Sequence, residues 1–248
     1  MKRLAALQLL RYAGKNDIGV VQLGDNLPLH ELGQSALGQI KSLADTKGIK
    51  LETGTRRLTL KNIEEYINIS AYLESPFLRI VIDDKNYHPS TADVIKIIKK
   101  TLPSLQKNNI VLAIENHDRF PAAELRKIIL KTDPKWVGIC LDTANSLGAG
   151  EGINEVLQSL APYTINLHIK DILIKRVPHK MGFTIEGVAA GDGMIDILSI
   201  IQQLKQTGRC KTATLEVWSN PASTMKETLT REKKMVKKSI QYLKKMIA

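Results

Sequence analysis

Cysteine is nearly absent from this 248-residue chain, which has only Cys140 and Cys210. Two thiols so far apart exclude a disulfide framework and a thiolate zinc site. Long apolar runs are missing as well. No window approaches the roughly 18 uninterrupted apolar residues of a membrane span, and Met1-Lys2-Arg3-Leu4 lacks a signal peptide's apolar stretch and cleavage site. Internal repeats, low-complexity segments and linkers are also lacking. What remains reads as one soluble, cytoplasmic domain over residues 1–248, with 43% hydrophobic residues to fill a core.

The net charge of +11 raises the question of a nucleic-acid partner, and its location answers it. Residues 223–248 hold eight basic residues against Glu227 and Glu232, over half of the excess. Leu229, Val236, Ile240, Leu243 and Ile247 recur there at helical spacing, so this segment reads as an amphipathic helix docked on a core, with lysines on its wet face. A basic face alone supplies only non-specific attraction. Neither a nucleic acid nor a membrane is therefore expected as partner, and a homo-oligomer stays open.

Apolar runs with buried-strand character fall at 18–23, 49–52, 77–82, 110–114, 137–141, 164–169 and 212–217. Helical patterns alternate with them at 2–13, 32–47, 62–72, 91–106, 121–131, 152–160 and 195–206, before the terminal helix. Pro103 is expected to kink or end its helix early. Such alternation with short links argues for a parallel sheet with right-handed crossovers. Seven strands can be counted, and the chain opens on what looks like a first barrel helix. The expected fold is an α/β barrel of the TIM (β/α)8 type that lacks its first strand.

Four consecutive strands share one grammar. The run 110–114 is followed at once by Glu115, 137–141 by Asp142, 165–167 by His168 and 213–215 by Glu216. In a parallel α/β barrel all strands end on the face that carries chemistry, so these four side chains should converge. A lone Asp or Glu closing a strand is more often a helix cap, but four in register are hard to dismiss in that way. Three carboxylates and one imidazole form an oxygen-rich set that suits one divalent metal ion: Mn²⁺ first, with Mg²⁺, Co²⁺ or Zn²⁺ as alternatives.

Residues two apart on a strand face the same side, which brings His117, Lys170 and Trp218 toward the same mouth. Lys170, and Arg176 beyond it, suit a substrate anion; Asn145 suits a substrate hydroxyl; Trp218 reads as a pocket wall. His117 and Lys170 divide between substrate contact and support of the ligands. Cys140, inside an apolar strand, reads as core.

The motifs I-E-N-H at 114–117, L-D-T-A-N at 141–145, L-H-I-K-D at 167–171, G-D-G-M-I-D at 191–196 and T-L-E-V-W at 214–218 together give a family resemblance. The chain resembles the sugar isomerase/epimerase superfamily with a xylose isomerase-like TIM barrel. That resemblance implies that Glu115, Asp142, His168 and Glu216 bind one divalent metal. It also implies that Glu115 and Glu216 are the catalytic pair, moving a proton through an enediolate. Asn145 stands where many epimerases of this kind carry histidine.

Three other readings compete. A decarboxylase or dehydratase of a 3-oxo sugar acid would use the same metal, with Lys170 or Arg176 on the carboxylate. A degenerate barrel would bind a sugar without turnover. An apurinic endonuclease would need more histidines than the early strands possess.

Overall fold

The computed structural model describes residues 5–247, and within them the chain forms two compact units. One unit is built from the chain up to Asn116 together with Ala123–Cys140, and the other from His117–Ala122 together with Leu141 onward.

The first unit runs α1 (Ala6–Lys15), β1 (Val20–Leu23), α2 (Gln34–Thr46), β2 (Lys50–Arg56), α3 (Leu60–Tyr72), β3 (Phe77–Val81), α4 (Thr91–Asn108), β4 (Val111–Glu115), all but the first residue of α5 (Ala122–Lys131) and most of β5 (Val137–Asp142). Its strands pair in parallel, with Val20 opposite Lys50, Thr53 opposite Leu78, Phe77 opposite Val111 and Leu112 opposite Val137. β3 and β5 are buried at every position, as expected of strands covered on both faces. Cys140 is part of that core.

Local chemistry sets several element boundaries. The Thr59 and Ser90 side chains accept from Asn62 N and Asp93 N, which satisfies orphan donors at the starts of α3 and α4. Asn109 ends α4 in the left-handed conformation, at φ 54°. Pro103 does not end that helix, which continues to Asn108. Pro103 and Lys99, whose carbonyl loses its helical donor, both face solvent, while Thr101 and Leu105 are buried on the inner side. Water can serve the freed carbonyl, and core packing carries the helix past the proline.

The second unit takes the end of β5, then α6 (Ile153–Leu160), β6 (Thr164–Ile169), β7 (Asp171–Arg176), β8 (Phe183–Val188), α7 (Ile197–Thr207), β9 (Thr212–Leu215) and α8 (Met225–Ile247). β6 pairs with β9 in parallel, Asn166 opposite Thr212, and the buried Asn166 amide donates to Thr212 Oγ1 at 2.8 Å. β7 and β8 form an antiparallel hairpin from Asp171 opposite Val188 to Arg176 opposite Phe183. No strand is expected there from the sequence. The segment pairs with itself rather than joining the main sheet, so it lacks the continuous apolar run that marks the other strands.

The sheet order is β1-β2-β3-β4-β5-β6-β9, all parallel where registers are recorded and separated by helices. This is the TIM-type β/α arrangement, with seven strands in the main sheet among the described residues rather than eight.

The terminal helix docks over a shorter length than its apolar spacing suggests. Leu243 and Ser239 are buried, whereas Leu229 and Ile247 are exposed. A polar anchor explains part of this: Ser239 Oγ accepts from Ala190 N at 2.9 Å. Among the described residues no helix is long and apolar enough to cross a membrane.

Candidate metal centre and pocket

Three strand ends of the second unit build the candidate site. Asp142 is the last residue of β5, His168 the penultimate residue of β6, and Glu216 directly follows β9. Their ligand-capable atoms all lie within 4.8 Å of one another. The Asp142 and His168 side chains are fully buried, while that of Glu216 is 33% exposed and reaches the pocket.

The orientation of these groups has identifiable causes. Asp142 Oδ1 accepts from Ala144 N and Asn145 N, both at 2.8 Å, leaving Oδ2 turned to Lys170 Nζ at 2.8 Å. Glu216 divides in the same way, with Oε1 3.0 Å from His168 Nδ1 and Oε2 3.0 Å from Lys170 Nζ. Lys170 also donates to Asn145 Oδ1 at 3.0 Å. Thr143 locks the backbone beneath, donating from Oγ1 to Lys170 O and accepting from Lys170 N. Glu216 N donates to Ile169 O at 3.0 Å, which holds the chain just past β9.

Beside this cluster lies a pocket of about 430 Å³. Asn145, Lys170 and Glu216 form its polar wall, and Ile172, Ile185 and Trp218 its apolar wall. The apolar wall depends on one glycine. A Cβ on Gly187 would lie 2.3 Å from Trp218 O and 2.8 Å from the indole ring.

Two other expected site residues fall differently. His117 Nδ1 lies 2.9 Å from Asp118 Oδ2, and it is Asp118 that lines the pocket. Arg176 lies at the exposed end of β7, outside the pocket lining, with its guanidinium 4.3 Å from the centre of the Phe183 ring and donating to Lys180 O at 3.0 Å.

Asp171 has a role that the sequence reading left unassigned. Its buried carboxylate accepts from the backbone N–H groups of Ile172, Gly191, Gly193 and Ile195. It thereby ties the loop after β8 to the root of β7. The H-I-K-D motif held the signal, as a carboxylate two residues past the end of a buried strand.

Glu115, in the first unit, is engaged by a cation. Arg79 on β3 donates from Nε to Glu115 Oε2 and from Nη1 to Asp25 Oδ1, the latter at 2.6 Å. Arg56 Nε meets Asp25 Oδ2 at 2.9 Å. Burial of Arg79 disfavours its charge, but Glu115 and Asp25 outweigh that and hold its pKa above the ordinary arginine value. Sequence reasoning missed Arg79, although a charge inside the apolar run 77–81 was the available signal.

Residues 49–246 match the family model described as xylose isomerase-like TIM barrel. The chain belongs to this family. Enzymes are among the relatives of this xylose isomerase-like protein. It is 27% identical over 240 residues to 3-oxo-isoapionate decarboxylase of Pectobacterium atrosepticum, a match that covers 97% of this chain and 87% of that protein. A xylose isomerase-like TIM barrel protein from Mycobacterium smegmatis in complex with magnesium superposes with TM-score 0.73 at 13% identity, covering 95% of this chain and 88% of that one. D-psicose 3-epimerase with D-tagatose from Clostridium cellulolyticum H10 gives TM-score 0.73 at 14% identity, covering 96% and 91%. At such identities these two structures share the fold.

The donor chemistry of the second unit fits a divalent cation. Two carboxylates and an imidazole, two of the three fully buried, form a hard oxygen and nitrogen set with no thiolate.

Proposed function

We propose that this xylose isomerase-like protein is a divalent-metal-dependent enzyme acting on a small oxidised carbohydrate through an enolate, and that its reaction is decarboxylation of a 3-oxo sugar acid. The observation that carries this reading is the Lys170 ammonium on the pocket wall, beside Glu216 and Asn145. A cation in a partly apolar pocket suits a carboxylate substrate. The decarboxylase among its relatives, similar along nearly the whole chain, supports the same class.

Asp142, His168 and Glu216 hold the cation in this reading, with Mn²⁺ first and Mg²⁺, Co²⁺ or Zn²⁺ as alternatives. Once bound, it supplies Lewis-acid polarisation of a carbonyl oxygen. Lys170 binds the substrate carboxylate, and Asn145 orients a hydroxyl. Trp218, Ile172 and Ile185 keep water from the bond that breaks. The carbon–carbon bond to the carboxylate cleaves, its electron pair passes into the enolate, and CO₂ leaves. The carbon left behind takes up a proton that water supplies by way of the Glu216 carboxylate, which ends the turnover in the state in which it began.

Glu115 bears on the choice between reactions. Epimerisation needs two carboxylates that take and return a proton, and one oxygen of Glu115 is held by Arg79. Decarboxylation breaks no C–H bond and makes no such demand. The second reading is ketose epimerisation with Glu115 and Glu216 as the proton-moving pair, which the epimerase fold neighbours favour.

Incubating Mn²⁺-loaded protein with 3-oxo sugar acids and with ketoses separates these readings. CO₂ from the acids with no ketose epimer supports the first. Epimer without CO₂ supports the second. Thermal stabilisation by sugar with no product under either condition indicates a non-catalytic binding barrel.

A further inference from the structure

Lys170 stands in an unusual relation to the candidate metal ligands. Its ammonium sits 2.8 Å from Asp142 Oδ2 and 3.0 Å from Glu216 Oε2. The other Asp142 oxygen is occupied by the two backbone N–H donors of Ala144 and Asn145. The oxygen that Asp142 has left to offer a metal is therefore the one that Lys170 holds. Glu216 repeats the pattern, with Oε1 beside His168 and Oε2 beside Lys170. The Lys170 side chain is 14% exposed and lines the pocket, so its head lies on the boundary between ligand cluster and substrate space.

Resting on the metal-centre reading above, we infer that Lys170 is a tethered stand-in cation for the metal ion: it neutralises Asp142 and Glu216 when no metal is bound, and yields both oxygens when metal enters. A divalent cation and an ammonium sharing the same two carboxylate oxygens in a buried place repel each other strongly. The side chain has four rotatable bonds and an alternative acceptor in Asn145 Oδ1, already at 3.0 Å on the pocket side. Metal entry thus moves the ammonium from the ligands into the pocket. There, with its carboxylate partners taken, it becomes the receptor for a substrate anion.

Two consequences follow from linkage. Lys170 competes with metal, so the protein binds metal more weakly than its ligand set alone would. Metal and substrate anion, in turn, raise each other's affinity by the same factor.

The test is calorimetric titration of wild type, Lys170→Met and Lys170→Arg with Mn²⁺ alone, beside thermal melting with and without Mn²⁺. Lys170→Met is expected to bind Mn²⁺ about tenfold more tightly or better. Its metal-free form should melt below wild type, because Asp142 and Glu216 then face each other uncompensated, and Mn²⁺ should raise its melting temperature by more than it raises that of wild type. Lys170→Arg, which keeps the charge, should stay near wild-type affinity. Equal or weaker Mn²⁺ binding by a folded Lys170→Met would overturn the inference while leaving the decarboxylase reading untouched. Tighter binding with no CO₂ from any 3-oxo acid would uphold it and remove that reading. Mn²⁺ binding by none of the three proteins would remove both.

Discussion

Arg79 and Asp25 are 54 residues apart in sequence and meet at 2.6 Å between Nη1 and Oδ1. The guanidinium is buried on β3 and reaches Glu115 with its Nε, so one cation fixes two carboxylates at the ends of β1 and β4. Removing one partner from a buried pair leaves a desolvated charge uncompensated, which costs more than the pair itself contributes. Arg79 keeps Glu115 in Asp25→Asn, so the variant is expected to lose about 2 kcal/mol, the scale of a hydrogen bond to a charged group. Urea unfolding of the two proteins at neutral pH measures this.

The same pair sets an acid dependence. Burial alone would raise the Asp25 pKa, but Arg79 and Arg56 outweigh it, so the carboxyl titrates below its ordinary 3.8. A lowered folded-state pKa gives stability that is complete above the unfolded value and is lost as pH falls through the folded one. The stability gap between wild type and Asp25→Asn should thus persist at mild acidity and close below pH 3.8. A gap that instead closes on raising the pH would contradict the assignment.

Asp171 offers a structural test separate from chemistry. Its carboxylate serves four backbone donors, and a Cβ on Gly193 would come within 2.0 Å of its Oδ1. Asp171→Asn should cost about 3 kcal/mol, since charge-assisted hydrogen bonds are lost and an amide brings donors where only acceptors fit. Gly193→Ala should destabilise as well. Hydrogen exchange of residues 189–196 should accelerate in both variants.

Much of the site was legible in the sequence because it lies where strands stop. The apolar runs before Glu115, Asp142 and His168 are largely buried strands, and a polar residue closing such a run stands out, whereas the strand before Glu216 has no buried residue and was legible only by its place in the series. The β7–β8 hairpin was not legible, because its pairing is internal and Ile174 and Ile185 are exposed beside the exposed Lys175 and Arg176, which leaves no buried apolar run to read. Pro103 misled because propensity is local, whereas the burial of Thr101 and Leu105 is tertiary. Long-range charge partners such as Asp25 and Arg79 carry no spacing rule, so only the fold brings them together.

The pocket's apolar wall can be tested through Gly187. A methyl group there collides with the backbone and ring of Trp218, so Gly187→Ala should displace the indole and lower kcat/KM about tenfold by misplacing substrate. Metal binding should be unchanged. Steady-state kinetics beside Mn²⁺ titration separates the two effects.

The most direct test of the metal centre is elemental analysis of purified wild type, Asp142→Asn and His168→Ala after equilibration with Mn²⁺ and removal of free ion. The expected result is about one Mn²⁺ per wild-type chain, with loss from both variants, whose circular dichroism should stay at wild type. Retention of metal by His168→Ala, or none on a folded wild type after loading, would contradict a centre built on Asp142, His168 and Glu216.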